Sequence, residues 1–306
     1  MRTSTPRVAI SPTTPRVFQD AVRDGGGTVV GLDDAPDALV WLAADDVDGL
    51  LAAVGSAPSA RWVQLPFAGV ERFVQHLDPA RTWTCAKGAY AEPVAEHALA
   101  LALAGLRGLA VRARASSWGE QGAITLYDAP VVVLGGGGIT TALLDLLAPL
   151  RCDVTVVRRS ADPVPGAART VAPEALLDVL PGAALVVLAL ALTPETEHVI
   201  GAAELAAMSP TAVLVNVARG RHVDTDALVE ALRSGSLGAA ALDVTDPEPL
   251  PAGHPLWREP RCLITPHTAN PWQTAQPLLA RRTQDNVRRF ARGERLQGLV
   301  DLAAGY

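Results

Sequence analysis

The stretch VVVLGGGGITTALLDLLAPL (131–150) has the pattern of a buried strand, a glycine-rich turn and a helix. Gly135 allows a tight turn, Gly137 lets the backbone come close to a pyrophosphate, and the helix N-terminus offers free N–H groups and a positive dipole to that anion. Thr140 stands where the usual GxGxxG pattern has its third glycine, which normally allows close packing of helix against strand. The stretch therefore predicts a dinucleotide-binding loop. Its predicted cofactor contacts are Gly135, Gly137, Gly138, Ile139 and Thr140.

The strand DVTVV (153–157) comes next, and Arg158, Arg159 and Ser160 follow it directly. Folds that prefer NAD usually carry an acidic residue ~20 residues past the glycine-rich loop, where it holds the ribose hydroxyls. This chain has arginine at that place, and two guanidinium groups with a hydroxyl suit the 2′-phosphate of NADP(H). The alternative is a solvated basic turn. We expect NADP(H) to be the preferred cofactor and NAD(H) the second choice.

Short apolar runs alternate with amphipathic stretches along most of the chain, a pattern typical of parallel sheets with crossover helices. The sequence therefore predicts an α/β fold. The predicted strands are Val8–Ile10, Ala38–Leu42, Arg61–Leu65, Thr82–Thr84, Val131–Leu134, Val154–Val157, Leu185–Leu190, Ala212–Val217, Gly238–Leu242 and Leu263–Thr265. The predicted helices outside the glycine-rich stretch are Pro15–Arg23, Asp46–Val54, Glu71–His76, Pro93–Arg114 and Thr274–Arg292.

With 306 residues, the chain is longer than a single hydrophobic core usually serves, which favours two domains. We expect a discontinuous, flavodoxin-like substrate-binding domain of residues 1–92 and 278–306. Residues 93–277 are expected to form a Rossmann domain that binds the dinucleotide. The helix predicted at 93–114 is apolar nearly all round, so we expect it to be buried against another domain or another subunit.

The composition narrows the classes of protein that fit. Hydrophobic residues make up 49% and charged residues 19%, as in folded globular proteins, and the net charge of −6 argues against a nucleic-acid partner. Cys85, Cys152 and Cys262 are far apart, which indicates a reducing compartment with neither disulfides nor a zinc site. The longest apolar run, AALVVLALAL (183–192), is too short to span a membrane. We expect a cytoplasmic protein without a metal.

Three chemically distinct residues follow predicted strands late in the chain: Arg219, Glu248 and His267. The carboxyl ends of neighbouring parallel strands meet at one edge of a sheet, so a cation, a carboxylate and an imidazole would surround one crevice. Together with the dinucleotide loop, this set predicts hydride transfer to or from a small acid. Asp246 competes with Glu248 for the place beside the imidazole. The remaining histidines are expected to have structural or solvent roles: His76, His97, His198, His222 and His254.

The chain resembles the D-isomer-specific 2-hydroxyacid dehydrogenase family. The matching phrases run in family order from Ala91 to Asn270 and are AEPVAEHALALALAGLR, LGGGGI, ALTPETEHVIG, VNVARGRHVDTDAL, ALDVTDPEPLP and TPHTAN. FAGVE (67–71) resembles the loop that binds the substrate carboxylate in this family. The resemblance implies two Rossmann-like α/β domains with the active-site cleft between them, and a homodimer built around the helix at 93–114.

The resemblance also implies roles for single residues. Arg219 would bind the substrate's carboxylate and carbonyl oxygen, His267 would be the acid/base, and Glu248 its partner. The further contacts that it implies are Asp243 near the nicotinamide carboxamide, Pro194 near the adenine, Ala218 with the cofactor, and Ala68, Gly69 and Val70 with the substrate carboxylate.

Elementary chemistry supports the same roles, because reduction of a 2-oxoacid needs a hydride at C2 and a proton on the carbonyl oxygen. A guanidinium can bind the carboxylate with two hydrogen bonds, and an imidazole can donate the proton. The formate-oxidising branch of the family that the chain resembles carries an amide at the position of Glu248, since formate oxidation releases no hydroxyl proton and needs no acid/base pair. Glu248 therefore favours a hydroxy or oxo acid. The sequence therefore predicts an NADP-preferring reductase of small 2-oxoacids, and the resemblance implies glyoxylate or hydroxypyruvate-like acids as substrates. Two alternatives are a dinucleotide-sensing, corepressor-like protein and a degenerate enzyme in which Thr140 weakens dinucleotide binding.

Overall fold

A computed structural model describes residues 5–119 and 122–305 of the protein. The chain divides into two compact units. One combines the residues up to Tyr90 with those from Pro271 onward, and the other runs from Ala91 to Asn270. The structure places the second boundary at Pro271, directly before the last helix, which begins at Trp272. The predicted boundary between 277 and 278 would lie inside that helix.

Twelve strands and nine helices are present among the described residues. The strands are β1 (Arg7–Ser11), β2 (Thr28–Val30), β3 (Ala38–Trp41), β4 (Trp62–Gln64), β5 (Thr82–Thr84), β6 (Pro130–Leu134), β7 (Asp153–Val157), β8 (Arg169–Val171), β9 (Leu185–Leu188), β10 (Val213–Asn216), β11 (Ala239–Leu242) and β12 (Cys262–Ile264). The helices are α1 (Arg16–Asp24), α2 (Val47–Ser56), α3 (Ala91–Leu106), α4 (Leu109–Arg112), α5 (Gly138–Leu147), α6 (Leu176–Val179), α7 (Ala202–Ala207), α8 (Thr225–Ser234) and α9 (Trp272–Arg292).

The discontinuous unit contains a parallel five-stranded sheet in the order β2-β1-β3-β4-β5, which is the flavodoxin-like order. Helix α9 packs against α1 in this unit. The segment after α9 also joins the sheet, since Thr84 and Leu299 form an antiparallel bridge. The sequence prediction that the last helix belongs with the first part of the chain agrees with this packing.

The other unit contains a parallel seven-stranded sheet in the order β12-β11-β10-β9-β6-β7-β8. The strand order reverses between β6 and β9, as in doubly wound dinucleotide-binding folds, where ligands bind beyond the carboxyl ends of the strands. The central strands β9 and β10 are buried along their whole length, which explains their continuous apolar sequences. The fold is therefore α/β with two parallel sheets, as the sequence predicts.

Two strands escaped the sequence prediction, namely β2 and β8. Each has three residues, lies at an edge of its sheet, and is exposed at its first residue and half-buried at the other two. A short edge strand of this kind has neither a long apolar run nor a clear alternation, so its sequence carries little signal.

The helix predicted at 93–114 is wrong in its length. Helix α3 begins at Ala91 and ends at Leu106, and Gly108, with a left-handed φ of 60°, separates it from the short α4. Part of the surface of α3 packs within its own unit, on α5, β10 and β11, and its burial against another domain or subunit stays a prediction. Gly105 permits this packing, since a Cβ there would lie 2.5 Å from a methyl group of Val213.

The helix predicted at 71–76 is a tight turn with a single 3-10 segment, Val74–His76. The N–H groups of Phe73 and Val74 both donate to the carbonyl of Val70, which closes one turn without continuing into a helix. In the described part of the chain, no helix is long and apolar enough to cross a membrane. Within residues 5–119 and 122–305, no group of three or more His, Cys, Asp and Glu side chains could hold a metal ion.

Candidate active site

The glycine-rich loop leaves the carboxyl end of β6 at the point where the strand order reverses. Gly135 has a φ of 106°, and a Cβ there would overlap the carbonyl oxygen of Ala189, so only glycine fits. Helix α5 begins at Gly138 with Gly137 as its N-cap, and nothing lies within 4 Å of a Cβ placed on Gly137. The backbone of this loop can therefore be approached closely by an anion, as the sequence predicts for a pyrophosphate.

Thr140, at the third-glycine position, is fully buried. Its hydroxyl donates a hydrogen bond of 2.7 Å to the carbonyl of Gly135. The polar atom is thus satisfied in the interior and ties the first turn of α5 to the glycine-rich loop. Ile139 beside it is half-buried and Gly138 is exposed.

The two arginines after β7 lie in different surroundings. A Cβ on Gly136 would lie 2.8 Å from Cδ of Arg158, so this side chain lies across the glycine-rich loop. Arg159 is exposed. It helps to lower the pKa of Glu195, although the hydrogen bond from the Thr193 hydroxyl has the larger effect on that carboxyl.

Ser160, the third residue of the predicted phosphate site, donates its hydroxyl to the carboxylate of Asp162. The sequence prediction did not include this acidic neighbour. A phosphate bound by Ser160 would have to compete with Asp162 for the same proton.

The turn after β9 carries Pro194, which is exposed. Hydrogen bonds close this turn at its base, since Thr193 N–H donates to the Thr196 hydroxyl and that hydroxyl donates to the Ala191 carbonyl, both at 2.8 Å. The turn belongs to the same sheet edge as the glycine-rich loop, because β6 and β9 are parallel neighbours.

The loop after β10 carries Ala218 and Arg219. Ala218 is buried, its N–H donates to Asn216 Oδ1 at 3.0 Å, and its carbonyl accepts from Arg219 Nη1 at 2.7 Å. The amide of Asn216 in turn donates to the carbonyl of Arg219 at 2.8 Å. Hydrogen bonds from the side chains of Asn216 and of Arg219 itself therefore hold the backbone around the half-buried Arg219.

Gly220, directly after Arg219, brings two loops of the site together. A Cβ at Gly220 would overlap the carbonyl of Thr245, so glycine is required for this approach. The Thr225 hydroxyl also donates to the Asp246 carbonyl at 2.9 Å. The loop with Arg219 thus packs directly on the loop that carries Glu248.

His267 and Glu248 form a pair, with Nδ1 of the imidazole 2.6 Å from Oε1 of the carboxylate. The hydrogen bond to Glu248 raises the pKa of His267 above its ordinary value, against the opposite effect of partial burial. The same bond lowers the pKa of Glu248. The side chains are 51% and 41% exposed, so the pair is open to solvent. Of the two acidic candidates, Glu248 rather than Asp246 supplies the carboxylate that bonds the imidazole.

His267 has a left-handed backbone with a φ of 51°, and its N–H donates to the Asp243 carbonyl at 2.8 Å. The buried Asp243 carboxylate accepts hydrogen bonds from the N–H groups of Thr268 (2.8 Å) and Ala269 (2.9 Å) and from the Thr265 hydroxyl (2.6 Å). The resemblance implies a contact of Asp243 with the nicotinamide carboxamide. In the structure, its carboxylate bonds to residues on both sides of His267, namely Thr265 before it and Thr268 and Ala269 after it.

His97 and His222 were missed as site residues. His97 on α3 places Nε2 3.2 Å from Asp243 Oδ1 and 3.1 Å from the Thr265 hydroxyl. His222 is fully buried beneath Arg219. For His97 no sequence signal was available, because 168 residues separate it from Thr265. For His222, its place three residues after Arg219 was the one available hint.

The predicted carboxylate loop lies after β4 in the discontinuous unit. Ala68 is exposed, Gly69 is half-buried and Val70 is buried. The loop is fixed at its base, since the Phe67 carbonyl accepts from Ala86 N–H at 2.9 Å and the Tyr90 hydroxyl donates to the Pro66 carbonyl at 2.6 Å. Burial raises the pKa of that tyrosine.

A doubly wound sheet with a glycine-rich loop at its switch point, and an imidazole–carboxylate pair at the same edge, defines an NAD(P)-dependent oxidoreductase. A family model described as "D-isomer specific 2-hydroxyacid dehydrogenase, NAD binding domain" matches residues 97–269. The chain belongs to the D-isomer specific 2-hydroxyacid dehydrogenase family.

Known proteins resemble the chain over most of its length. An uncharacterized protein of the proB 3′ region of Corynebacterium melassecola is 40% identical over 267 residues, covering 82% of this chain and 88% of that protein. A D-isomer specific 2-hydroxyacid dehydrogenase from Xanthobacter autotrophicus Py2, solved with NADPH and MES, is 28% identical with a TM-score of 0.85, covering 99% of this chain and 100% of the other. An NADPH-dependent glyoxylate/hydroxypyruvate reductase from Sinorhizobium meliloti, solved with NADP and sulfate, is 25% identical with a TM-score of 0.81, covering 99% and 100%.

Proposed function

We propose that the protein is an NADP-preferring reductase that converts small 2-oxoacids to D-2-hydroxyacids. The observation that carries the proposal is the half-exposed His267–Glu248 pair, joined at 2.6 Å, on the sheet edge that also holds Arg219 and the glycine-rich loop. The pair supplies the proton donor that reduction of a carbonyl requires.

His267 is the proton donor in this proposal. Its hydrogen bond to Glu248 raises its pKa, so the imidazolium is populated near neutral pH. Nε2, on the other side of the ring from the bonded Nδ1, then donates the proton to the substrate's carbonyl oxygen as that oxygen gains charge. When bound at the glycine-rich loop, a reduced nicotinamide dinucleotide would supply the hydride for C2. The product is a 2-hydroxyacid, and His267 is left neutral until it takes a proton from water.

Arg219 binds the carboxylate and polarises the carbonyl of the same substrate. A guanidinium gives two parallel hydrogen bonds to a carboxylate, which fixes the substrate plane. The backbone around Arg219 is held by Asn216, so the guanidinium starts from a defined position. Ala68, Gly69 and Val70 are proposed to add N–H donors for the same carboxylate.

The preference for NADP(H) is assigned to Arg158 and Arg159. Arg158 lies across the glycine-rich loop, and the exposed Arg159 follows it at the end of β7, where the ribose of a dinucleotide lies in this class of fold. Two of the similar solved proteins carry NADPH or NADP. Pro194, Ala218 and Asp243 are proposed as further contacts along the dinucleotide.

A homodimer built around α3 is proposed as the assembly. Leu103 on α3 is 38% exposed, and Leu109 and Val111 on the adjoining α4 are 51% and 43% exposed. Exposed apolar side chains at these neighbouring positions of α3 and α4 support a surface that another subunit covers. The cytoplasmic location expected from the three free cysteines stays a prediction.

The deciding experiment measures oxidation of NADPH, and of NADH in parallel, with 2-oxoacids from glyoxylate to bulky aryl pyruvates. We expect turnover with a clear preference for NADPH, and the best substrate will define the size of the pocket. Equilibrium binding of NADPH is measured on the same preparation. Tight NADPH binding without turnover on any oxoacid would contradict the proposal and favour a dinucleotide-sensing protein.

A further inference from the structure

We propose that His222 is a positioning residue that fixes the backbone of Arg219 and ties it to the segment after β9. The inference rests on the role proposed above for Arg219 and extends it to a residue that contacts neither substrate nor dinucleotide.

The imidazole of His222 is fully buried and lies between two backbone segments. Nδ1 lies 3.2 Å from the backbone nitrogen of Arg219 and 3.1 Å from its carbonyl oxygen. Nε2, at the other end of the ring, lies 3.2 Å from the carbonyl oxygen of Ala191. One side chain thus reaches both the residue that carries the guanidinium and the first part of the turn with Pro194.

The contacts assign the proton on the ring. A carbonyl oxygen only accepts, so Nε2 carries the proton that is donated to Ala191. In the neutral ring, Nδ1 then accepts the N–H of Arg219, and its 3.1 Å approach to the Arg219 carbonyl oxygen is a contact without a hydrogen bond, since neither atom carries a proton. An apolar side chain of similar size would fill the space but leave the buried N–H of Arg219 without this acceptor.

The backbone around His222 is paired with the same segment. Ile200 and Val223 form a parallel bridge, in which Ile200 N–H donates to the His222 carbonyl and Asp224 N–H donates to the Ile200 carbonyl, each at 3.0 Å. The imidazole of His222 adds a side-chain contact between the same two segments, closer to Arg219. The Ala191 carbonyl also accepts from the Thr196 hydroxyl, which closes the turn. The position of Arg219 is therefore set by two segments, which are the turn after β9 that carries Pro194 and the loop after β10 to which Arg219 itself belongs.

Two conservative substitutions of His222 distinguish the contact made by Nδ1 from the contact made by Nε2. Asparagine at 222 keeps a polar atom near the position of Nδ1 but is too short to reach Ala191. Glutamine keeps an N–H near the position of Nε2 but loses the acceptor for Arg219 N–H. Leucine removes both ends while preserving much of the volume. His198→Asn is the matched control, because His198 lies in the same paired segments with an exposed side chain.

The readouts are the Kd for NADPH, the Kd for oxamate (an inert 2-oxoacid analogue) in the presence of NADPH, kcat, KM and Tm. For His222→Gln we expect the oxamate Kd and the oxoacid KM to rise by roughly tenfold, with the NADPH Kd within about twofold of the native value. For His222→Asn we expect the larger change in the NADPH Kd. His222→Leu should show both changes, and His198→Asn neither.

Equal changes in both Kd values for the Gln and Asn variants, in proportion to their loss of Tm, would overturn the proposal and leave His222 with a role in folding stability alone. Native binding by His222→Leu would overturn it as well. The two Kd values need no turnover, so this test stands apart from that of the proposed function, which fails if the native protein binds NADPH and oxamate but reduces no oxoacid.

Discussion

The two halves of one sheet edge are held by different means. Beyond β10, β11 and β12, buried polar side chains connect the loops: Asn216, His222 and Asp243 are each nearly inaccessible and each bonds backbone groups. Beyond β6 and β7, a glycine backbone and the Thr140 hydroxyl hold the loop, and the charged groups are surface arginines. Buried hydrogen bonds connect the loops of the half with the imidazole, whereas the half with the arginines presents one half-buried and one exposed guanidinium side chain.

The difference follows from what each half is proposed to do. Hydride and proton transfer require reacting atoms held in a narrow range of distance and angle, and a small displacement costs much of the rate. Discrimination between dinucleotides requires charge of the right sign near one phosphate, which flexible side chains can provide. Substitutions in the first half should therefore change kcat strongly, and those in the second half should change cofactor affinity by smaller factors.

The largest effect is expected for His267→Ala. Loss of the proton donor should lower kcat by ~10²-fold or more, since general acid catalysis contributes ~10²–10⁴-fold. Binding of NADPH should stay within about twofold, because His267 is on the other half of the edge. Single-turnover and steady-state kinetics with NADPH titrations would measure both, with His198→Ala as the control. A loss of less than about tenfold would remove His267 from its proposed role.

The pH dependence should reveal the His267–Glu248 pair. The pKa of His267 is raised, so the imidazolium and the reduction rate are maintained below that pKa and decline as pH rises through it. The contribution of the pair to folding stability depends on pH in the same way. It is fully present below the ordinary histidine pKa of about 6.5 and is lost as pH rises through the raised pKa of His267. Glu248→Gln removes the negative charge and should move the decline in kcat/KM to lower pH.

Profiles of kcat/KM for the native protein and for Glu248→Gln, between pH 5 and 9, would show this shift. Asp246→Gln is the matched control, because Asp246 lies in the same loop and was the competing candidate from sequence. A shift produced by Asp246→Gln and absent in Glu248→Gln would reverse the assignment of the partner.

The sequence predicted the polar residues at the sheet edge better than the residues that hold them in place. Arg219, Glu248 and His267 could be found because each follows an apolar run, and parallel strands bring their ends to one edge. His97 could not, because its contacts with Asp243 and Thr265 join α3 to strands more than a hundred residues later. Long-range packing of this kind leaves no local pattern.

The same limit applies to the fold. Long buried strands such as β9 and β10 are evident from their apolar runs, whereas β2 and β8 are three-residue edge strands with weak patterns. The end of α3 depended on Gly108 adopting a left-handed backbone, which glycine permits but does not require. Apolar character alone therefore predicted too long a helix.

A smaller effect, confined to the cofactor, is expected for the double substitution Arg158→Gln and Arg159→Gln. Hydrogen bonds to charged groups are worth ~1.5–3 kcal/mol each, so the Kd for NADPH should rise by roughly tenfold or more. The Kd for NADH should stay within about twofold, because it lacks the 2′-phosphate. Fluorescence titration with both dinucleotides would measure the ratio, with Arg151→Gln as a surface control. Equal losses for NADPH and NADH would assign the arginines to loop structure instead of phosphate recognition.

The smallest effect is expected at Thr140, whose buried hydroxyl ties the first turn of α5 to the glycine-rich loop. Thr140→Val keeps the shape but removes the donor to the Gly135 carbonyl, a bond worth ~0.5–1.5 kcal/mol. The Kd for both dinucleotides should therefore rise by about two- to tenfold, and Thr140→Ser, which keeps the hydroxyl, should restore most of it. Isothermal titration of NADPH and NADH would measure this. If Thr140→Gly instead bound both dinucleotides more tightly than the native protein, the threonine would weaken the loop. The hydrogen bond from Thr140 would then not be what holds this half of the sheet edge.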